Sequence, residues 1–253
     1  MQPLVSTRIS LRWPPAPAAE HEAVLVIQGR SGFFLDLRVR RLEADGQGTA
    51  PPDLREKGEY SVEWATAGWK TLLPPREGEA HPRARFEAIL DSRNPPFSSS
   101  SSSAPSGSSP SSNPADPPSA DEGSFEPLPN GDVLETGEML NLDTGTVQPY
   151  EEVWRRLPFV HDHGAAVRIV VLERADETSR AYVGRVGDWE VGLVDSKEGF
   201  GAVRRERRSD GTWEEVYVNE AGRGLPSCVG EEKAVEGETV ELDGQIWRVI
   251  ESS

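Results

Sequence analysis

The motif with the most evident potential for chemistry is His161-Asp162-His163. Two histidines one residue apart on a β-strand point their imidazoles to the same side, an arrangement that a zinc site can use. The motif stands between a proline and a glycine, where we expect a solvated connector, and His21 and His81 are the only other histidines. We therefore predict no metal site, with His161 and His163 as the ligands if one is present.

Residue types that carry catalysis occur without the surroundings that catalysis needs. Glu151 and Glu152 are neighbours, but adjacent strand residues point to opposite faces and cannot act as an acid–base pair. Ser92 and Ser196 lack the Gly-x-Ser-x-Gly context of a nucleophile elbow. Cys228 is the only cysteine, so no disulfide can form within the chain, and a lone thiol is typical of a reducing compartment. We expect no catalytic residues, no cofactor and no enzymatic activity.

The seven tryptophans are a more informative set. Most should lie in a hydrophobic core, because an indole ring buries a large area. A small β-barrel can instead hold one small ligand in an interior lined by aromatic side chains. The sequence pattern is compatible with both roles, core packing and the lining of a ligand cavity. The candidates for lining such a cavity are Trp64, Trp154, Trp189 and Trp247.

The charge balance limits the choice of partners. The net charge of -16 disfavours nucleic acid and anionic membrane surfaces, which both attract clustered Lys and Arg. The one dense basic run, residues 204–208, precedes a predicted partner strand with Glu214 and Glu215, so we expect a solvated hairpin there. We find no signal peptide and no apolar run near the roughly 20 residues that cross a bilayer, and we expect a soluble intracellular protein without membrane insertion.

Short alternating segments bounded by turn residues predict an all-β chain. Phe33–Arg41 gives the clearest period of two, with Phe33, Leu35 and Leu37 on one face, so we expect one face of this strand against a core. Residues 150–157 fit the spacing of a helix as well as that of a strand, and the hairpin turn before them favours a strand.

A short internal echo suggests two units of similar build. Residues 137–143, GEMLNLD, correspond to residues 237–243, GETVELD, and each copy leads into a segment that carries a tryptophan, Trp154 or Trp247. The glycine after the aspartate in each copy favours a hairpin turn. If the two tryptophans occupy equivalent places in two cores, replacing either with alanine should cost about 3–5 kcal/mol.

A Ser- and Pro-rich tract interrupts the first unit. We predict that residues 94–124 are a disordered loop insertion, since they offer little apolar surface to offset the entropy of ordering. The first unit would then span residues 1–158 and the second residues 165–253. Ser119 and Ser124, near acidic residues at the end of the tract, are candidate phosphorylation sites for an acidophilic kinase.

Several blocks of sequence resemble the Hri-type fungal protein family, whose yeast founder is named for its interaction with a casein kinase I. The long serine run departs from the family pattern. The matching blocks are residues 32–38 (GFFLDLR), 63–68 (EWATAG), 137–139 (GEM), 144–145 (TG), 150–155 (YEEVWR), 186–189 (VGDW) and 242–251 (LDGQIWRVIE).

The resemblance implies two tandem lipocalin-like β-barrels in a cytoplasmic and nuclear protein without an established activity. It supplies no catalytic residues. We therefore expect a non-catalytic binding or interaction module with a protein partner, linked to casein kinase I signalling. The alternative is a carrier of a small apolar ligand or tetrapyrrole inside one barrel.

Overall fold

The computed structural model describes residues 1–42, 51–97, 121–158, 167–230 and 234–253. Within these ranges the regular structure is almost entirely β-strand, with a short 3₁₀ turn at Glu220–Gly222. The all-β prediction is therefore confirmed. Among the described residues, no helix is long and apolar enough to cross a membrane.

The first eight strands form a closed antiparallel barrel, called the barrel below. Each strand pairs with the next and β8 pairs with β1, so the barrel has no free sheet edge. Residues 150–157 belong largely to β8, which confirms the strand interpretation. The strands are β1 (Leu4–Arg12), β2 (Glu22–Gln28), β3 (Phe33–Arg41), β4 (Tyr60–Leu73), β5 (Arg83–Asp91), β6 (Asp121–Pro127), β7 (Val133–Asn141) and β8 (Thr146–Arg156).

The predicted insertion is too long at its C-terminal end. Asp121–Pro127 forms β6 and pairs with β5 on one side and β7 on the other. Residues 121–124 pair with β5 and residues 123–127 pair with β7, and these backbone hydrogen bonds compensate for a segment that has few strand-forming side chains. At the other end, Asn94 closes a turn on Asp91, and the Phe97 N–H donates to Asp195 Oδ2 at 3.0 Å. Residues 98–120 lie outside the described ranges.

The remaining strands form a seven-stranded antiparallel sheet, called the second sheet below, in place of the second barrel expected from the sequence. Its order is β13-β12-β11-β10-β9-β15-β14, and the two outer strands, β13 and β14, do not pair with each other. The strands are β9 (Ile169–Ala175), β10 (Ser179–Val186), β11 (Trp189–Ser196), β12 (Gly199–Arg207), β13 (Trp213–Val218), β14 (Thr239–Leu242) and β15 (Gln245–Ser252).

The chain after β13 explains why the second sheet stays open. Asn219 accepts a hydrogen bond from the Gly222 N–H at 3.0 Å and caps the 3₁₀ turn, which diverts the chain from the sheet edge. A Cβ at Gly222 would lie 2.3 Å from the Ala202 carbonyl oxygen, so this turn packs directly on β12. With β14 only four residues long, the two edges cannot close a barrel.

The two echoed hairpins form, but their tryptophans are not equivalent. Trp154 pairs with Val133 in the β7–β8 ladder, whereas Trp247 pairs with Val240 in the β14–β15 ladder. The position that corresponds to Val240 in the first hairpin is Leu140, which pairs with Val147. The register is the same in both hairpins, so the position equivalent to Trp247 is Val147, and Trp154 lies seven residues further along β8.

The main hydrophobic core lies between the outer wall of the barrel and one face of the second sheet. Phe33 packs on Tyr182 with ring centroids 5.0 Å apart, and a Cβ at Gly184 would lie 2.6 Å from a methyl carbon of Leu35. The apolar face of β3 therefore contacts a core, as the period of two predicts. It is the outer face of the barrel, however, and the alternate residues of β3 face the barrel interior.

Candidate functional site

The barrel interior contains a network of buried charged side chains around Arg8. Its guanidinium contacts Glu20 at 2.6 Å, Glu152 at 2.7 Å and Glu22 at 2.8 Å, and all four side chains are nearly inaccessible to solvent. Burial alone would lower the pKa of Arg8, but the three carboxylates raise it above its ordinary value. Arg8 is thus a permanently charged centre that holds β1, β2 and β8 together.

Arg38 extends this network across the barrel. It donates to Asp36 at 2.9 Å and to Glu152 at 3.2 Å, so β3 is joined to a strand that is not its neighbour. Its guanidinium also lies over Trp64, 4.5 Å from the ring centroid, and over Trp154 at 5.9 Å. Among the described residues, Asp36 Oδ1 and Trp154 Nε1 are buried without a hydrogen-bond partner.

A second group in the barrel interior combines buried acids with a tyrosine. The Tyr150 hydroxyl donates to Glu135 Oε1 at 3.1 Å. Burial raises the pKa of Glu135 to about 8, helped by the charges of Glu152 and Asp121. Burial also raises the pKa of Asp121 to about 6 and lowers the pKa of Lys70, whose ammonium lies near two phenylalanine rings. Glu135 is therefore protonated at neutral pH and can donate a hydrogen bond.

This arrangement makes the barrel interior ionic. Trp64 and Trp154 do face it, as the cavity prediction requires, and the Arg38 guanidinium lies over both rings. In small barrels of eight strands, side chains commonly fill the interior. The network joins several strands to one another, since each guanidinium contacts carboxylates from more than one part of the barrel wall.

An open groove lies on the face of the second sheet that points away from the barrel. Its volume is about 740 Å³, within the usual range for ligand sites. Val194 and Leu225 provide an apolar floor, and the polar residues come from strand ends, from the turns beside them and from the segment after β13. The main polar and aromatic residues of this groove, called the far-face groove below, are Arg174, Ser196, Glu198, Phe200, Glu220 and Gln245.

Charges in the far-face groove are placed differently from those in the barrel. Arg174 donates to Gln245 and lies over Trp247, 5.4 Å from the ring centroid, while its Nε has no hydrogen-bond partner among the described residues. Glu198 and Glu220 are exposed and form no ion pair within the described ranges. A ligand in the groove would thus find one free donor and two free carboxylates, which is a binding surface rather than a closed structural network.

The four candidate tryptophans do not meet in one cavity. Trp64 and Trp154 lie in the barrel, while Trp247 is fully buried in the smaller core of the second sheet. Trp189 packs on the core between the two units and donates from its indole nitrogen to the Pro158 carbonyl at 3.2 Å. Core packing is therefore the principal role of Trp189 and Trp247.

The other candidate residues fall in different places. Ser124 lies in β6, paired with Arg83 and Thr136, so it is part of the barrel wall and not of a disordered tract. Ser119, His161 and His163 lie outside the described residues. Within the described ranges, no group of three or more His, Cys, Asp or Glu side chains is placed to hold a metal ion.

Cys228 has a structural environment that the sequence did not predict. Its thiol donates to Glu190 Oε2 at 3.1 Å and its backbone N–H donates to the same oxygen at 3.0 Å. Burial raises the pKa of this thiol well above its ordinary value, and the Glu190 carboxylate adds to the effect. Arg205, from the basic run, pairs with Glu190 at 2.6 Å, and Arg208 pairs with Glu214 at 2.6 Å as the hairpin prediction implied.

Sequence reasoning missed the ionic interior of the barrel. Arg8, Asp36, Arg38 and Glu152 stand in alternating strands, where charged residues normally face water. One signal in the sequence could have revealed them. The face of β3 opposite Asp36 and Arg38 is fully apolar, so it has to pack against another part of the protein, and the charged face is then left to point into the barrel. The groove residues lie near the ends of five strands and in the segment after β13, and the sequence pattern does not show that these distant positions meet.

Comparisons with known proteins agree with this architecture. The model of the family described as Protein HRI1 matches residues 4–251. The crystal structure of an uncharacterized protein from the yeast Saccharomyces cerevisiae superimposes with a TM-score of 0.70, covers all of both chains and is 18% identical, a similarity that shows the fold alone. No curated protein matches the chain. Since the family model spans nearly the whole sequence, the chain belongs to the HRI1 family.

Proposed function

We propose that this protein is a non-catalytic binding module and that the far-face groove is its binding site. The observation that carries the proposal is the groove of about 740 Å³, which has an apolar floor. Among the residues that the structure describes, Arg174 Nε has no hydrogen-bond partner there and two carboxylates, Glu198 and Glu220, have no ion pair. Ligand sites commonly have this size and this mixture of apolar surface with a few polar groups. The ionic interior of the barrel supports a scaffold role for that unit.

The same ionic interior argues against the alternative of a carrier for a small apolar ligand or tetrapyrrole inside the barrel. An apolar ligand there would displace or desolvate ion-paired Arg8 and Arg38, and burying a charge without its partners costs several kcal/mol. The eight-stranded order supports describing the barrel as lipocalin-like, which is likewise our proposal. A tandem of two such barrels has no support from the open second sheet.

A protein is the partner that we favour, with a casein kinase I as the candidate that the family resemblance supports. Residence in the cytoplasm and nucleus is part of the same proposal. It is supported by the family resemblance and by Cys228, a lone buried thiol.

The test uses a photo-cross-linking amino acid placed at Glu220 in the groove or, as a control, at Glu138 on the outer face of the barrel. Both positions are exposed. We expect cross-links to a partner from position 220 and none from position 138. Gly224 lines the groove with open space around its Cβ position, so Gly224→Trp should fill the groove and abolish the cross-links.

Two outcomes would overturn the groove as the binding site. One is equal cross-linking from both positions, and the other is cross-linking from position 220 that Gly224→Trp leaves unchanged. A native mass spectrum of the freshly purified chain would show a retained small molecule as added mass. Added mass that survives Gly224→Trp would support the carrier alternative, because the ligand would then lie outside the groove.

A further inference from the structure

We propose that the far-face groove continues into the seam between the two units and binds an extended, basic peptide segment of a protein partner. This inference rests on the proposed function and names the class of ligand for the same site. It starts from a second cavity of about 360 Å³, lined by barrel residues and by residues of the second sheet. The residues lining this seam cavity include Tyr60, Val62 and Ser92 of the barrel and Phe200, Tyr217 and Asn219 of the second sheet.

The two cavities adjoin because Phe200 and Asn219 line both of them. Asn219 is held in place by three hydrogen bonds. Its Oδ1 accepts from the Ala202 N–H at 2.9 Å and from the Gly222 N–H at 3.0 Å, and its Nδ2 donates to the Phe200 carbonyl at 2.9 Å. Asn219 is therefore held in one position at the junction, and a ligand that contacts it does not have to order this side chain first.

Each cavity contains a buried polar group that has no partner among the described residues. In the seam cavity it is the Tyr217 hydroxyl, on a side chain only 6% exposed. In the far-face groove it is Arg174 Nε. A buried polar group without a hydrogen bond costs free energy that a ligand can recover by supplying the bond. An extended peptide presents a carbonyl or an N–H at regular intervals, so one chain can satisfy both groups.

The carboxylates decide the charge of that peptide. Glu63 in the seam is already paired with Arg40 and Arg93 at 3.5 Å each. Glu198 and Glu220 in the groove have no ion pair with any residue that the structure describes, and a hydrogen bond from Ser196 holds the pKa of Glu198 below its ordinary value. With a net charge of -16 over the whole chain, the surrounding field also favours a cationic ligand. Lys or Arg side chains of the peptide would contact Glu198 and Glu220.

The test measures binding of a fluorescent octapeptide of alternating Lys and Val to the full chain by anisotropy. A matched octapeptide of alternating Glu and Val serves as the acidic control. We expect the basic peptide to bind at low salt, to weaken as salt rises, and to compete with the cross-linking of the natural partner at position 220. The acidic peptide should bind at least tenfold more weakly. Comparable binding of both peptides, or preference for the acidic one, would overturn the proposal.

Three variants separate the site from general electrostatics. The double variant Glu198→Lys/Glu220→Lys should weaken the binding of the basic peptide at least tenfold. The control Glu87→Lys/Glu138→Lys makes the same change in net charge at exposed barrel positions. It should weaken the binding of the basic peptide less than threefold. Tyr217→Phe removes only the unpartnered oxygen and should weaken binding about threefold without loss of the fold, as checked by circular dichroism. Equal effects of the two double variants, or no effect of Tyr217→Phe, would contradict the seam site.

Failure here and failure of the proposed function have different signatures. If position 220 cross-links a natural partner and Gly224→Trp abolishes this while the basic peptide does not bind, the peptide inference is wrong and the binding module stands. If neither cross-linking nor peptide binding depends on the groove, both proposals are wrong.

Discussion

Glu251 in the last strand accepts a hydrogen bond from the Arg30 N–H at 2.6 Å, although the two residues are 221 positions apart. The same carboxylate accepts from the Ser31 N–H at 3.1 Å, and a Cβ at Gly29 would lie 2.0 Å from its Oε2 atom. The end of the second sheet therefore supplies the acceptor for the β2–β3 turn of the barrel. Because the turn and the carboxylate complete each other, we expect the two units to unfold together.

The packing between the two units can be tested at Gly184. Its Cβ position lies 2.6 Å from Leu35 Cδ1 and 3.2 Å from Ile27 Cδ1, so Gly184→Ala should overpack the shared core and cost about 1–3 kcal/mol. Gly224→Ala is the matched control, because nothing lies within 4 Å of its Cβ position. Chemical denaturation of both variants, followed by tryptophan fluorescence, measures the difference. Two separate transitions in the wild-type chain would contradict a jointly folded pair.

The charge network in the barrel predicts a large difference between two arginines of one strand. Arg8→Met should destabilise the protein by about 3–5 kcal/mol, because it removes the buried cation that Glu20, Glu22 and Glu152 share. Arg12→Met removes a half-exposed ion pair with Glu151 and should cost less than about 1 kcal/mol. The midpoint of urea unfolding compares the two. Similar midpoints would mean that the buried network contributes no more than a surface pair.

Glu135 predicts a pH dependence of stability with a definite sign. Its pKa is about 8 in the folded protein and about 4.3 in an unfolded chain, so between these values the folded state binds more protons. Its stabilising effect is complete below about pH 4 and is lost as the pH rises through 8. Stability should therefore fall from pH 5 to pH 8 more steeply in the wild type than in Glu135→Gln. Glu138→Gln, at an exposed position on the same strand, should keep the wild-type slope.

The outcome for Glu135 can be measured by urea unfolding at intervals of half a pH unit. The difference in slope between the wild type and Glu135→Gln isolates this residue from Asp121, whose raised pKa of about 6 acts in the same direction. Identical slopes in both proteins would show that Glu135 titrates as it does in the unfolded chain.

The two echoed tryptophans should differ in their contribution to stability. Trp247 is fully buried in the smaller core of the second sheet, so Trp247→Ala should cost about 3–5 kcal/mol. Trp154 is half-buried beside Arg38, and Trp154→Ala should cost about 1–2 kcal/mol. Thermal unfolding under identical conditions ranks them. Equal losses would restore the equivalence that the sequence echo suggested.

Local sequence patterns predicted the strands well. The two echoed hairpin turns formed where expected, and Gly145 and Gly244 have the positive φ values that such turns require. Gly123 and Ser124 were assigned wrongly, because pairing on both sides forms β6 in a segment of weak strand propensity. The sequence identified the charges of the basic hairpin and two tryptophans that face the barrel interior. It identified neither the far-face groove nor the seam cavity.

The sequence by itself determined the β class, the positions of the turns and the alternation of the strands, since these depend on neighbours a few residues away. Only the tertiary structure decided which face of β3 is inside the barrel. Alternation separates two faces but does not say which of them another sheet will cover, and here the second sheet covers the outer one. Contacts between distant residues also decided the register of the strand pairs and the point at Asn219 where the chain leaves the sheet edge. The second sheet stays open, and its groove forms, because the chain turns away there.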